Sequence, residues 1–330
     1  MPSKNNPKIF KDFWELSNKE NNKKKMTKPE IRKDYLQDNF VVICPKRKWK
    51  IKMKSSSLFE KRELDCNLCP ENINKERAKQ IFKKKDGWAV KTVANKYPAF
   101  STNNQFSFGT QEIVIETPYH NHQSVDFSVT EIEKVIKMYI ERTLAIRKIK
   151  GINYILIFKN SGKEAGASQN HAHSQIYATK FIPFYILDKI KKERECEGCV
   201  YCDIIKKEKK GSRMVFENKN FIVLCPYASQ HSYEIMVLPK RHLDNISELN
   251  TEEKKSLAKI FKAIFRGIKD LGYSYNMYFH EVVKDLDQHI YFKFKPRTSV
   301  WAGLEVGSGL IINPIPPEDA TEFYKKYFRK

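Results

Sequence analysis

The sequence predicts an α+β protein made of two tandem units, each an antiparallel sheet with one helix packed on it. Three features indicate this fold: the two halves repeat the same features in the same order, each half holds one amphipathic helix, and short apolar runs flank that helix. We expect the first unit to span residues 31–185 and the second to span residues 196–330. We also expect residues 1–30 to be a flexible lysine-rich lead-in, and "DKIKKERECEG" (188–198) to be a linker.

The repeat is defined by cysteines and histidines. Each half begins with a Cys-x-x-Cys pair, continues through a strand that ends at a histidine, and passes through a helix and a strand to a last histidine. A glutamate precedes the strand-ending histidine by eight residues in both halves. The matching residues are Cys66, Cys69, Glu112, His120 and His171 in the first half, and Cys199, Cys202, Glu234, His242 and His289 in the second. An order that recurs in register indicates a duplicated unit.

The two helices are predicted from apolar residues that recur with a period of 3.6. The first has a capping box formed by Ser128 and Glu131, with Gly151 as its predicted stop, and the second stops at Gly272. The expected core positions are Ile132, Val135, Ile136, Tyr139 and Ile140 in the first helix, and Leu257, Ile260, Phe261, Ile264 and Ile268 in the second.

Composition and charge exclude some classes of protein. Of 330 residues, 41% are hydrophobic and 12% aromatic, which is enough for a sizeable core and argues against global disorder. The net charge of +22 would suit nucleic acid, but the lysines are scattered among asparagines and glutamates rather than gathered in one basic stripe. No run approaches the roughly 18 apolar residues that span a bilayer, and the N-terminus lacks a signal-peptide core. We therefore expect a cytoplasmic protein without a membrane partner.

The repeated cysteines and histidines predict two zinc sites. Two thiolates and two imidazoles complete a tetrahedral site with no position left for water, so both zinc ions would be structural. The predicted ligands are Cys66, Cys69, His120 and His171 for the first site, and Cys199, Cys202, His242 and His289 for the second. His122 is a rival ligand in the first half, and Cys196 could replace Cys199 by spacing alone. Cys44 and Cys225 lie in apolar runs and are expected to be core thiols.

His173 follows the ligand His171 by two residues, and the second half has Tyr291 at the matching position. The first half alone is therefore expected to carry out chemistry. Ser168, His173 and Gln175 would flank an anion, and the small residues of 160–168 would let backbone N–H groups approach a phosphate. An imidazole there can attack phosphorus and form a covalent intermediate. The alternative is that His173 is an exposed strand histidine.

These motifs resemble the galactose-1-phosphate uridylyltransferase family of the histidine-triad superfamily. The resemblance rests on "HAHSQ" with "FKNSGKEAGAS" before it, and on "IRKDYLQDNFVVICPKR", "CNLCPEN", "VANKYPAF" and "WAGLEVGSG". It runs from about Ile31 to the C-terminus and implies two fused histidine-triad units.

The resemblance also implies roles for individual residues. His173 would attack the α-phosphorus of a nucleotide sugar, with its other ring nitrogen held by the main-chain carbonyl of His171. Gln175 and Ser168 would contact the transferring phosphates. The residues implied to bind substrate are Arg32, Arg47, Asn160, Ser174 and Glu305. The partners would be a nucleotide sugar and a sugar phosphate or inorganic phosphate, and the protein would be a homodimer.

Ser174 stands where the best-known relatives have glycine, and the serine form resembles a two-zinc branch that includes enzymes phosphorolysing ADP-glucose. The leading hypothesis is UDP-glucose:hexose-1-phosphate uridylyltransferase, an enzyme of galactose metabolism. An ADP-glucose or dinucleoside-polyphosphate phosphorylase is the alternative. A zinc-structured nucleic-acid-binding protein is a third hypothesis, from a different class.

Overall fold

A computed structural model describes residues 26–51, 66–284 and 288–329 of the chain. Residues 1–25 of the predicted lead-in lie outside these ranges. The strands are β1 (Glu30–Lys33), β2 (Phe40–Ile43), β3 (Ala78–Lys84), β4 (Gly87–Ala94), β5 (Gly109–Ile115), β6 (Tyr154–Ser161), β7 (His173–Thr179), β8 (Met214–Glu217), β9 (Phe221–Leu224), β10 (Ile235–Pro239), β11 (Tyr275–Val282), β12 (Phe292–Pro296) and β13 (Ile311–Asn313). The helices are α1 (Pro70–Ile73), α2 (Val129–Arg147), α3 (Phe184–Arg194), α4 (Val200–Glu208), α5 (Thr251–Leu271), α6 (Gly303–Ser308) and α7 (Pro317–Phe328).

Strands from both halves form one ten-stranded antiparallel sheet, in the order β3-β4-β5-β7-β6-β11-β12-β10-β9-β8. The halves meet where β6 pairs with β11, with Asn160 opposite Asn276. The predicted α+β class with antiparallel sheets is confirmed, but the two expected sheets are continuous. Pairing β6 with β11 gives both strands a neighbour and removes two exposed sheet edges.

The two long helices pack on one face of this sheet, as their periodicity predicts. All ten expected core positions are buried and belong to one cluster with the inward residues of the strands. The capping box of α2 is present, since Ser128 Oγ accepts from the Glu131 N–H at 3.3 Å and Glu131 accepts from the Ser128 N–H at 2.8 Å. Gly272 ends α5 with φ 68°, whereas α2 ends at Arg147 and Gly151 lies in the turn that follows.

A second, three-stranded sheet joins the two ends of the chain. β1 pairs antiparallel with β2, and β13 pairs parallel with the other edge of β2. The segment 30–43 is therefore packed on the C-terminal half of the chain, where the Tyr35 hydroxyl also donates to Glu208 at 2.7 Å.

The prediction of a linker at residues 188–198 is wrong for residues 188–194, because these residues belong to helix α3. Ile186 and Ile190 of this helix are buried against Tyr154 and Val282. The two buried isoleucines, four residues apart, stabilise the helix. The many charged residues between and after them made its apolar face hard to detect in the sequence.

From the sequence we expect Cys44 and Cys225 to be core thiols and expect no membrane-spanning segment. Cys225 is a buried core thiol as expected, but Cys44 is partly exposed because it lies at the end of β2, before a 3₁₀ turn at Pro45–Lys50. Of the helices in the described ranges, none is long and apolar enough to cross a bilayer.

Candidate functional site

The structure brings the first predicted ligand set together. The potential ligand atoms of Cys66, Cys69, His120 and His171 all lie within 4.8 Å of one another, and all four residues are buried. Cys69 Sγ lies 3.4 Å from His120 Nδ1 and 3.6 Å from His171 Nδ1, and Cys66 Sγ lies 3.8 Å from His171 Nδ1. In a tetrahedral zinc site the sulfur–nitrogen edge is about 3.5 Å, so these distances fit such an ion.

The protonation of His171 also fits a metal ligand. Its Nε2–H donates to the Thr117 carbonyl at 2.7 Å, which leaves Nδ1 without a proton and directed at the thiols. Burial lowers the pKa of His171 to about 4, so the imidazole is neutral at physiological pH.

The second set forms the same arrangement in the other half. Cys199 Sγ and Cys202 Sγ each lie 3.5 Å from His289 Nδ1, and Cys202 Sγ lies 3.9 Å from His242 Nδ1. His289 Nε2–H donates to the Pro239 carbonyl at 3.0 Å. Pro239 precedes His242 by three residues, as Thr117 precedes His120, so the duplication extends to the groups that orient the ligands. The second set is more exposed than the first.

The rival ligands lie outside both groups. His122 Nε2 lies 2.9 Å from the Glu131 carboxylate at the start of α2. Cys196 donates through its thiol to the Lys192 carbonyl at 3.3 Å. Neither belongs to the four-residue groups that could hold a metal among the described residues.

His173 is buried and held by the backbone of the preceding ligand. Its Nδ1–H donates to the main-chain carbonyl of His171 at 2.8 Å. The exposed fraction of the residue is 6%, and burial is the main cause that lowers its pKa. The Nε2 atom is therefore an unprotonated nitrogen with a fixed direction, the form in which an imidazole is a nucleophile.

The sheet face opposite α2 and α5 carries the other polar residues of the site. Gln175 lies two residues along β7 from His173, hence on the same face, and pairs with Phe158 on β6. Asn160 lies two residues further along β6, where its Oδ1 accepts from Asn276 Nδ2 at 2.8 Å. His173, Gln175, Asn160 and Asn276 therefore share one face of the sheet near its centre, together with Phe158.

Three amides of the loop at 160–168, where the sequence predicts N–H groups that approach a phosphate, are already hydrogen-bonded within the loop. The N–H groups of Ala165, Gly166 and Ala167 donate to carbonyls within the turn, at 2.9–3.2 Å. Ser168 is exposed at the end of this loop, and none of the described hydrogen bonds uses its side chain. In this loop the Ser168 hydroxyl, rather than those three amides, is available to a ligand.

Ser174 does not face the site, contrary to the expectation that it binds substrate. It alternates with His173 and Gln175 and so points to the helix side of the sheet, where it is fully buried. The Tyr139 hydroxyl lies 2.9 Å from Ser174 Oγ and 3.2 Å from the Glu116 carboxylate. The serine therefore belongs to a buried polar network beneath the nucleophile.

The charged pair Lys159 and Glu116 was not found by sequence reasoning. Lys159 Nζ lies 3.0 Å from Glu116 and donates to the His173 carbonyl at 2.8 Å, and both side chains are 2% exposed. Although burial alone would raise it, the Lys159 ammonium and the Ser124 hydroxyl hold the pKa of Glu116 below its usual value. One signal was present: a lysine and a glutamate each follow an apolar strand run, in "ILIFK" and "IVIE".

Three of the predicted substrate-binding residues do not meet His173. The guanidinium of Arg32 is buried and donates to Glu318 at 3.0 Å and to Glu30 at 3.1 Å, so it is paired within the fold. Arg47 lies partly exposed in the turn after β2. Glu305 accepts from the Ala302 N–H at 2.9 Å and caps α6. Among the described residues none of the three hydrogen-bonds to His173, Gln175 or Asn160.

Comparison with known families covers most of the chain. A family model described as "Galactose-1-phosphate uridyl transferase, N-terminal domain" matches residues 7–183. The corresponding model of the C-terminal domain matches residues 185–293.

Individual relatives carry two different names. An ADP-glucose phosphorylase of Arabidopsis thaliana is 29% identical, over 90% of this chain and 93% of its own. A galactose-1-phosphate uridylyltransferase of Thermotoga maritima is 33% identical, over 65% of this chain and 73% of its own. A solved structure of an Arabidopsis thaliana ADP-glucose phosphorylase with bound ADP-glucose superposes with a TM-score of 0.80 at 26% identity, over 91% of this chain and 99% of that one.

Proposed function

The chain belongs to the galactose-1-phosphate uridyl transferase family and is a nucleotidyltransferase, and we propose that it moves a nucleoside monophosphate from a nucleotide sugar to a phosphate acceptor through His173. The observation that carries this proposal is the hydrogen bond from His173 Nδ1–H to the His171 carbonyl, which leaves Nε2 free. We assign catalysis to the first unit, residues 31–185, because the second has Tyr291 at the matching position.

The proposed reaction has two steps, each a displacement at phosphorus. His173 Nε2 attacks the α-phosphorus, a nitrogen–phosphorus bond forms, and the bond to the bridging oxygen breaks with its electron pair leaving on the sugar phosphate. A phosphate oxygen of the acceptor then attacks the same phosphorus and releases the imidazole. Throughout, Nδ1 keeps its proton in the bond to His171, which stabilises the positive charge of the phosphorylated ring.

Other residues of the polar face would bind the substrate. The Gln175 amide lies on the same face as His173 and can donate to the phosphoryl oxygens, as can the exposed Ser168 hydroxyl. Asn160 is held by Asn276 and would lie beside the nucleotide. The charge of the transferred phosphoryl group changes little between the two half-reactions. Neutral hydrogen-bond donors such as the Gln175 amide and the Ser168 hydroxyl can therefore bind it in both.

Zinc is the ion we propose for both Cys/His groups. Four protein ligands leave no open position, so a zinc ion there would fix the peptide units around His120, His171 and their counterparts rather than take part in chemistry. The first group would orient the nucleophile through the main-chain carbonyl of His171, which accepts from His173 Nδ1–H. Thiolate ligands need a reducing compartment, and we propose the cytoplasm.

The proposed donor is UDP-glucose and the proposed acceptor a hexose 1-phosphate, by analogy with the uridylyltransferase relatives. A second candidate is an ADP-glucose phosphorylase, which uses inorganic phosphate as acceptor. It is favoured by one observation: the relative of that name matches 90% of this chain, and the Thermotoga maritima uridylyltransferase matches 65%.

Incubation with one labelled donor at a time tests both proposals. The chain is mixed with UDP-glucose or ADP-glucose labelled at the α-phosphate, without acceptor. We expect acid-labile label on the protein from one of the two donors, and its release by hexose 1-phosphate or by inorganic phosphate identifies the acceptor.

Two variants make the result decisive. His173→Ala should take up no label, whereas His122→Ala, a histidine outside both metal groups, should be labelled like the parent chain. Equal labelling of His173→Ala would contradict the covalent mechanism.

We also propose that two copies of the chain associate. Four apolar side chains in the segment 300–306 are exposed, namely Val300 (72%), Trp301 (40%), Leu304 (47%) and Val306 (75%). A contiguous apolar patch of this kind is typical of a protein–protein contact. Light scattering should report a dimer that Val300→Ser with Val306→Ser weakens, and a monomeric parent chain would contradict the proposal.

A further inference from the structure

Strand β12 presents three cations in alternation. Lys293 and Lys295 alternate with the fully buried Phe292 and Phe294, and Arg297 follows in the same rhythm just after the strand. Because successive strand residues point to opposite faces, all three cations lie on the face opposite α2 and α5. That is the face that carries His173 and Gln175.

Of these three cations, only Lys293 forms an ion pair within 4 Å among the described residues, although against the opposing effect of burial the Tyr278 hydroxyl and the Glu234 carboxylate also raise the pKa of Lys295. Lys293 Nζ lies 3.5 Å from Glu234, whose side chain is 2% exposed. Lys295 Nζ donates instead to a neutral atom, Gln230 Oε1, at 3.0 Å. The Nε of Arg297 is buried and has no hydrogen-bond partner in the described part of the chain. Burial lowers the pKa of Arg297, and a half-buried cation of this kind is destabilising unless an anion joins it.

A neighbouring histidine shows the same excess of positive charge. His231 is 7% exposed and stacks on Trp301, with ring centroids 5.4 Å apart. Burial, and then the charges of Lys295, Arg297 and Lys293, hold its pKa well below the usual value. Arg32 and Arg213 differ from Arg297, because both form an ion pair with the carboxylate of Glu318.

The position of these cations separates them from His173. Lys295 pairs with Asn276, and Asn276 pairs with Asn160. Asn160 and His173 each lie two residues beyond the Phe158–Gln175 pair, on neighbouring strands. Three strand steps place Lys295 about 14 Å from His173 between backbones. Lys295 on β12, and Arg297 just after it, therefore lie three strand positions away from the strand that carries the nucleophile.

We propose that Lys295 and Arg297 form a second anion-binding site, for a phosphate group with two negative charges, on the sheet face that carries His173. Such a group would accept from the Arg297 Nε–H and from the ammonium of Lys295. The site lies in the second unit, where Lys293 and Lys295 stand at the repeat positions of Gln175 and Tyr177. The second unit would then bind an anion although it has Tyr291 at the position of the nucleophile. The site does not depend on a covalent step at His173, and the ligands that it would take are of the same class as the acceptors of the proposed reaction.

Two sources share this chemistry, namely free inorganic phosphate and the phosphate of a phosphorylated sugar. Calorimetric titrations of the full chain with inorganic phosphate and with glucose 1-phosphate distinguish them. The double variant Lys295→Gln/Arg297→Gln should lose at least about tenfold in affinity for one of the two, since it removes two charge-assisted hydrogen bonds. The matched control is Lys255→Gln/Lys259→Gln, which removes two exposed charges from α5.

Each outcome decides the matter. A loss for inorganic phosphate alone identifies a free-phosphate site, and a loss for glucose 1-phosphate identifies a sugar-phosphate site. Unchanged titrations in the double variant, or an equal loss in the control, overturn the proposal. Crystals of the unaltered chain soaked in tungstate give a test that needs no variant: tungsten should lie between Lys295 and Arg297, and its absence there overturns the site. Failure of the labelling experiment would leave these results intact, so the two proposals fail separately.

Discussion

The buried ammonium of Lys159 donates a hydrogen bond to the main-chain carbonyl of His173, at 2.8 Å. The same ammonium lies 3.0 Å from the Glu116 carboxylate, which also accepts from Ser124 at 2.7 Å. The peptide that carries the proposed nucleophile is thus fixed from both sides. The His171 carbonyl holds the imidazole on one face of the sheet, and a charged pair holds the His173 carbonyl from within the core.

Replacing Lys159 should destabilise the fold and misplace His173. Lys159→Met keeps most of the volume but leaves the Glu116 carboxylate buried without its counter-charge. Breaking a buried ion pair in this way costs about 3–5 kcal/mol. Urea denaturation should show this loss, and nucleotidyl transfer should fall at temperatures where the variant is still folded.

The double variant Lys159→Met/Glu116→Gln is the control for that prediction. Removing both charges should recover much of the stability, because an uncharged buried pair carries a smaller desolvation penalty. Activity should stay low, since no donor then holds the His173 carbonyl. A double variant as unstable as Lys159→Met would contradict a pairing role for Glu116.

Ser174→Ala should change stability and leave substrate preference alone. The serine hydroxyl bonds to Tyr139 beneath the sheet, and Tyr139 keeps a second contact with Glu116. Because the Ser174 hydroxyl also hydrogen-bonds to Glu116, we expect a loss of about 1–3 kcal/mol, the net value of two buried hydrogen bonds. The ratio of kcat/KM for UDP-glucose and ADP-glucose should stay within about twofold of the parent value, equivalent to less than ~0.5 kcal/mol. A tenfold change in that ratio would show that Ser174 acts on the substrate.

Metal content should respond separately at the two Cys/His groups. Cys66→Ser and Cys199→Ser should each reduce bound zinc from two ions per chain to one, as measured by elemental analysis. A chelator should remove the ion of the second group first, because its ligands are more exposed than those of the first. A chain that binds one zinc and keeps it in Cys199→Ser would contradict the second site.

Repetition of the same residue order made the ligand sets predictable, although Cys66 and His171 are 105 residues apart, and short-range periodicity made the long helices predictable. Each half contains a Cys-x-x-Cys pair followed by two histidines in the same order. The pattern in one half therefore supports the metal-ligand prediction in the other. The core stripe of α5 follows from the 3.6-residue period alone. Contacts between distant residues that do not belong to the repeat could not be predicted from these patterns. Arg32 pairs with Glu318, 286 residues away, and Lys159 pairs with Glu116 across two strands whose neighbourhood the sequence does not specify.

Ser174 is a different kind of error, because the information was present. A strand alternates its faces, so a chain that directs His173 and Gln175 to the ligand must direct Ser174 away from it. The resemblance of "HAHSQ" to a family motif leads us to expect a substrate-binding role for Ser174 beside the roles of His173 and Gln175. The alternation of the strand separates them, and the structure follows the alternation.

Gly162→Ala should disrupt the loop that leads to the active-site strand. Gly162 has φ 85°, which an L-residue adopts with strain, and a Cβ there would lie 2.0 Å from Ser274 Oγ. Gly166 provides a matched control in the same loop, since its φ of 78° carries the same strain while a Cβ would meet nothing within 4 Å. Gly166→Ala should therefore cost about 1 kcal/mol, from the left-handed backbone alone.

Gly162→Ala should cost clearly more than Gly166→Ala, because Ser274 directly precedes β11 and cannot withdraw without disturbing the Tyr275–Ser161 end of the pairing between β11 and β6. Adding Ser274→Gly should restore part of the difference, since it removes the two closest atoms, Ser274 Oγ at 2.0 Å and Cβ at 2.8 Å. Thermal denaturation of the four chains measures these differences, and nucleotidyl transfer measures whether the position of Ser168 depends on them. Equal losses for the two glycines would mean that backbone strain alone, and not the approach of Ser274, requires glycine at position 162.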